Sequence, residues 1–182
     1  MTCIVAIAQD GKVFMGADSE MSDTDDNLIL QKKLPKIFTR GEYGVGYAGS
    51  ARFGLLMEHN FTYPAVPAKL KTVEQLETFL NKTFVPKLRN YVINTLGVDE
   101  KERGEFVALI GLRGHIFELD EDWAIYSLEK NYTSIGSGAS LAMGSMYSTT
   151  KWSDANKRLE CALGAATEFS AGVGRPFNFL EV

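Results

Sequence analysis

Strand-like runs and helical periodicities do not alternate along this sequence. They come in blocks, and that order limits the fold more than any single motif does. Residues 2–9 are rich in β-branched and small apolar side chains, Asp10-Gly11 is a two-residue hairpin signal, and residues 12–17 return as a second strand. Residues 36–40 run into Gly41-Glu42, and residues 43–48 run back. Helical patterning then takes over. Ser50 reads as an N-cap before Phe53, Leu56 and Met57, and Thr72-Val73-Glu74-Gln75 reads as a capping box. Val73, Leu76, Leu80, Phe84, Leu88 and Val92 recur at helical spacing, and Pro86 is expected to end or kink that helix. A second block of strands covers residues 106–112, 115–119, 123–128 and 132–135. Two helical segments, 139–148 and 154–169, and a closing strand over 175–182 complete the chain. Residues 19–27 and 98–105 read as polar surface loops.

Runs of strands followed by runs of helices favour α+β over a parallel α/β sheet. Helix pairs after each strand block suit two antiparallel sheets packed face to face, with helices on both outer sides. The chain has 182 residues, 45% hydrophobic and 23% charged, which suits one globular domain over residues 1–182. Nineteen Lys and Arg against 23 Asp and Glu give a net charge of −4, which argues against a nucleic-acid partner. No apolar run approaches the roughly 18 residues of a membrane span, and the first residues lack the pattern of a secretory signal. Two cysteines without metal-like spacing, Cys3 and Cys161, point to a reducing, cytoplasmic setting. His59 and His115 supply no multi-histidine metal site. No metal and no cofactor are expected.

Five positions at element boundaries could carry chemistry. An initiator methionine before a small residue is usually removed, which would expose Thr2 with a hydroxyl and a free α-amine on one residue. That amine has a reference pKa of about 7.7–8.0, near the range where a general base works best. The hydroxyl is then a nucleophile with its base built in. Asp18, at the end of the second strand, sits at the same end of the hairpin as Thr2. Lys36 opens the third strand and, paired with a buried carboxylate, would ease formation of the threonine alkoxide. Gly46-Tyr47-Ala48-Gly49-Ser50 is a strand-to-helix junction whose backbone N–H groups could receive an oxyanion. Gly136-Ser137-Gly138 is a second such junction. It is not the Gly-x-Ser-x-Gly elbow, because Ile135 stands where that motif needs glycine. Cys3 reads as a buried strand cysteine and Tyr47 as a core aromatic near a pocket.

With these residues in this order, the chain resembles the proteasome β-type and HslV-like N-terminal nucleophile (Ntn) hydrolases over essentially its whole length. The resemblance implies a four-layer αββα sandwich. It places the nucleophile at Thr2, the lysine-holding aspartate at Asp18, the lysine at Lys36 (with Lys32 and Lys33 nearby), the oxyanion glycine at Gly49 and the supporting serine at Ser137. It also implies a homo-oligomeric ring, a peptide or protein substrate and a separate AAA+ ATPase partner for unfolding. The chain departs from the pattern before its last strand, where Ser170 and Val173 stand in place of the family's aspartate and serine. A threonine peptidase is the first expectation. A catalytically silent structural subunit and a small-amide amidase are the alternatives.

Overall fold

The computed structural model describes residues 1–23, 28–30, 35–96 and 105–182. The chain opens with β1 (Ile4–Gln9) and β2 (Lys12–Asp18), joined through Asp10 and Gly11, both at positive φ as a type I′ turn requires. Short β3 (Met21–Asp23) and β4 (Leu28–Leu30) pair with each other. The expectation of a plain loop over 19–27 is therefore corrected in part, and residues 24–27 lie outside the described set. Next come β5 (Ile37–Arg40), β6 (Tyr43–Gly49) and α1 (Ala51–Leu55), which runs into a π-helical turn at Leu56–Asn60. The helices α2 (Val73–Phe79) and α3 (Val85–Leu96) are joined by a π-helical turn at Leu80–Phe84. The second strand block is β7 (Phe106–Leu112), β8 (His115–Leu119), β9 (Ile125–Ser127) and β10 (Tyr132–Ile135). Then follow α4 (Ala139–Ser148), α5 (Ala155–Phe169) and β11 (Phe177–Glu181). The charged loop read over 98–105 lies outside the described residues except for Glu105.

Two antiparallel sheets carry the fold, in the orders β10-β1-β2-β11 and β5-β6-β7-β8-β9. Successive side chains of a strand point to opposite faces, and three separate apolar cores follow from that alternation. Ile4 and Ala6 of β1 join Val13, Met15 and Ala17 of β2 and Leu109 of β7 between the sheets. Val5 and Ile7 turn the other way and pack with Leu159, Ala162 and Leu163 of α5. On the far side, Val45 and Tyr47 of β6 and Ala108 and Ile110 of β7 pack under Leu76, Leu80, Leu88 and Val92. The result is an αββα sandwich, as expected.

Local signals set several element ends. Ser50 Oγ accepts the N–H of Phe53 at 3.2 Å, and Asp154 Oδ1 accepts that of Lys157 at 3.1 Å. Thr72 and Gln75 make the reciprocal bonds of a capping box. Pro86 does not end its helix. It follows a π-helical turn whose wider bonding pattern already departs from the regular ladder, and the chain continues helical to Leu96. No helix among the described residues is long and apolar enough to cross a membrane.

Candidate active site

The ends of β1, β2 and β10 converge at Thr2. Strand register places Ile4 opposite both Ala17 and Ile135, so the residues just outside those pairs, Thr2, Asp18 and Gly136–Gly138, meet at one edge. Continuing the Ile4–Ala6 alternation puts Thr2 at the mouth of the layer between the sheets. Gly136, at φ +90°, wraps so closely that a β-carbon there would overlap the Thr2 carbonyl oxygen. Ser137 Oγ accepts the Thr2 N–H at 3.2 Å and donates to the Thr2 carbonyl at 3.3 Å. Gly138 N–H also donates to that carbonyl, at 3.2 Å.

Asp18 is fully buried and Lys36 is 5% exposed. Lys36 Nζ donates to Asp18 Oδ1 at 2.8 Å, to the Glu20 carbonyl at 2.7 Å and to the Met1 carbonyl at 3.0 Å. An ammonium has three donors, and all three are occupied. Asp18 is held in turn by the backbone: Cys3 N–H reaches Oδ1 at 2.9 Å, and Glu20 N–H reaches Oδ2 at 3.2 Å. Thr2 Oγ1 donates to the Met1 carbonyl at 2.8 Å. The lysine ammonium and the threonine hydroxyl thus share one acceptor, the carbonyl of the residue before the threonine. Neighbouring Cys3 is fully buried, and burial pushes its thiol up to about 11. A thiol there is protonated at neutral pH and is no competing nucleophile.

Gly49 closes β6 at φ +92°, where a β-carbon would overlap the Glu105 carbonyl oxygen. Within the same junction Ser50 N–H is spent on Glu105, at 2.9 Å, and Tyr47 N–H on the Lys36 carbonyl, at 3.0 Å. A cavity of about 530 Å³ joins Gly49 to Gly136 and is lined also by Ala48, Glu105, Phe106, Val107, Asp120, Glu121 and Asp122. Tyr47, 4% exposed, packs in the helix-covered core and does not line that cavity. Lys32 and Lys33 lie outside the described residues.

The structure therefore brings Thr2, Asp18, Lys36 and Ser137 into one hydrogen-bonded group, with Gly49 across the adjoining cavity. Val173 is 3% exposed, packs in the apolar core beside Cys3 and offers no polar atom to Thr2. Ser170 caps α5 through its backbone. Two contributors had no sequence signal, Glu20, whose carbonyl holds Lys36, and Gly172, against which the Met1 side chain rests. No group of three or more His, Cys, Asp and Glu side chains able to hold a metal ion occurs among the described residues.

The same frame is found in known proteins. No protein-family model matches the chain. It is 31% identical over 153 residues to the proteasome subunit beta of Parafrankia sp. (strain EAN1pec), covering 80% of this chain and 53% of that one. The BPH protein of Thiobacillus denitrificans, solved in complex with epoxomicin, superposes with a TM-score of 0.73 at 23% identity, over 100% of this chain and 98% of that one. Eukaryotic HslV from Trypanosoma brucei superposes with a TM-score of 0.69 at 17% identity, over 99% and 98%. The chain belongs to the proteasome β-subunit family. It spans about half the length of the curated proteasome subunit it matches. The structural neighbours, below 25% identity, share its fold.

Proposed function

We propose that this chain is a threonine-type amidohydrolase acting on peptides, with Thr2 as nucleophile once Met1 is removed. The observation that carries the reading is the convergence of Lys36 Nζ and Thr2 Oγ1 on the Met1 carbonyl oxygen, at 3.0 and 2.8 Å. Loss of Met1 frees one Lys36 donor and the threonine hydroxyl in the same place, and turns the Thr2 nitrogen into a primary amine still beside Ser137 Oγ.

The chemistry then runs in two stages. Thr2 Oγ1 attacks the scissile carbonyl, and its proton passes to the Thr2 α-amine. The ammonium of Lys36, fixed by Asp18, lowers the cost of the alkoxide. Gly49 N–H receives the oxyanion from across the cavity. Collapse of the tetrahedral intermediate breaks the carbon–nitrogen bond, and the proton leaves with the amine product. Water, deprotonated by the same α-amine, then hydrolyses the acyl-enzyme and restores Thr2. We further propose a homo-oligomeric ring in the cytoplasm, with a separate ATPase to unfold protein substrates.

The departure at Ser170 and Val173 favours a second reading, a structural subunit with a silent site. Turnover of fluorogenic peptide amides by the processed wild-type chain and by Thr2→Ala separates the two. The first reading requires activity in the wild type and its loss in the variant. Equal rates in both would refute Thr2 as nucleophile, and the absence of any turnover would leave the structural subunit.

A further inference from the structure

Glu20 contains a buried polar atom that the mechanism above does not use. The residue is 9% exposed, and its Oε1 has no hydrogen-bond partner. A buried acceptor left unpaired is costly, and a buried carboxylate more so, unless a cation comes to it. Its backbone is fixed on both sides, by the N–H to Asp18 Oδ2 and by the carbonyl that holds Lys36. Its carboxylate lies over Gly174, where a β-carbon would overlap Oε2. Two residues back, Gly172 gives the same kind of space to the Met1 side chain. Glu20 and Met1 therefore rest on one short stretch of backbone.

Charge counting at this edge leaves an imbalance. Asp18 and Glu20 bring two buried carboxylates, while Lys36 brings one ammonium, already paired with Asp18 at 2.8 Å. Among the described residues, the other groups around it do not close the gap. The Cys3 thiol is held uncharged by burial. The Arg175 guanidinium, next along from Gly174, stacks 4.4 Å from the centroid of the Phe177 ring. Glu105, Asp120, Glu121 and Asp122 line the cavity beside Gly136 and add only negative charge. Met1 is 52% exposed, so its own amine belongs to a residue half in water. Removing Met1 draws the terminal amine one residue inward, onto the nitrogen that touches Ser137, and supplies the missing positive charge.

We propose that Glu20 is a positioning residue of this site. Its carboxylate is the counter-charge of the Thr2 α-ammonium and sets the pH at which that amine becomes a base. The inference rests on the reading of Thr2 as an N-terminal nucleophile, and its test is independent of turnover. A negative charge near an amine favours the protonated form. Replacing Glu20 by its neutral isostere should therefore lower the pKa of the amine.

The experiment uses the chain beginning at Thr2, released from a cleavable N-terminal fusion, as wild type, Glu20→Gln and Glu20→Asp. The pKa of the α-amine is read from the pH dependence of trace acetylation by acetic anhydride, resolved by mass spectrometry of the N-terminal peptide. Glu20→Gln is expected to lower that pKa by at least about half a unit, roughly a threefold loss of proton affinity. Glu20→Asp, which keeps the charge, should retain most of the wild-type value. Circular dichroism checks that each variant is folded. If Gln unfolds the chain, Glu20→Ala, which also removes the carboxylate, carries the same prediction of a lowered pKa. An unchanged pKa in folded Glu20→Gln overturns the proposal, even in an enzyme whose turnover depends on Thr2. A lowered pKa in a chain without turnover would uphold Glu20 and refute the peptidase reading instead.

Discussion

Removing the Lys36 ammonium would leave Asp18 fully buried with no cation beside it among the described residues. Breaking a buried ion pair from one side costs about 3–5 kcal/mol. Lys36→Ala and Asp18→Asn should each lower the urea midpoint accordingly and reduce peptide turnover by at least about a hundredfold, in line with loss of a group that assists proton transfer. A variant that unfolds like wild type would contradict the buried pair. Ser137 sits at the milder end. It holds Thr2 through two long hydrogen bonds, at 3.2 Å to the nitrogen and 3.3 Å to the carbonyl, each worth about 0.5 kcal/mol. Ser137→Ala should slow turnover about tenfold and leave the urea midpoint within about 1 kcal/mol of wild type. Sequence showed these residues through their combination: singly each reads as an ordinary turn or surface residue, but together, in this order at element boundaries, they match the pattern of the family that the chain resembles. Glu20 gave no such signal. Its importance comes from burial against Gly174, a contact across 154 residues of chain, and the neighbouring Asp18-Ser19 reads the same whichever way Glu20 points.

The elements hold these side chains in place through their ends. Gly49 is the clearest case, since its positive φ and the Glu105 carbonyl leave no room for a side chain. Gly49→Ala should destabilise the chain by more than about 2 kcal/mol and abolish turnover together, a pairing that differential scanning fluorimetry and a peptide assay would show. Thr72→Ala gives the contrast. It removes a cap far from Thr2 and should cost about 1 kcal/mol while leaving kcat/KM unchanged. Several element starts and stops were legible in the sequence: the Asp10-Gly11 turn, the Thr72 capping box, the Ser50 cap and the Ala139 start of α4. The path of the helix past Pro86, and the strands β3 and β4, were not. Whether a proline breaks a helix depends on how the preceding turn is wound, here a π-helical one, and three-residue strands such as β3 and β4 are too short to show a period.

Across the whole molecule, the candidate site gathers at one edge of the sheets, while the α4–α5 layer leaves several large apolar side chains in water. Tyr147 is 69% exposed, Phe169 75% and Trp152 48%. A chain that assembles into a ring should elute at a multiple of 20.1 kDa by light scattering, and a 20.1 kDa monomer at micromolar concentration would count against assembly. The order of strand blocks and helix pairs made the layering readable but not the sheet membership, since β1 and β2 join β10 and β11 under α4 and α5 while β5 and β6 join β7, β8 and β9 under α2 and α3. Substrate preference was not readable, since the cavity joins residues from β6, β7, the β8–β9 turn and the β10–α4 junction. The most direct test of the central claim is the intact mass of the purified chain before and after treatment with a threonine-directed epoxyketone. Loss of one methionine and a single adduct mapping to Thr2 is the predicted result. A chain that has lost Met1 and takes up no adduct would contradict an N-terminal nucleophile.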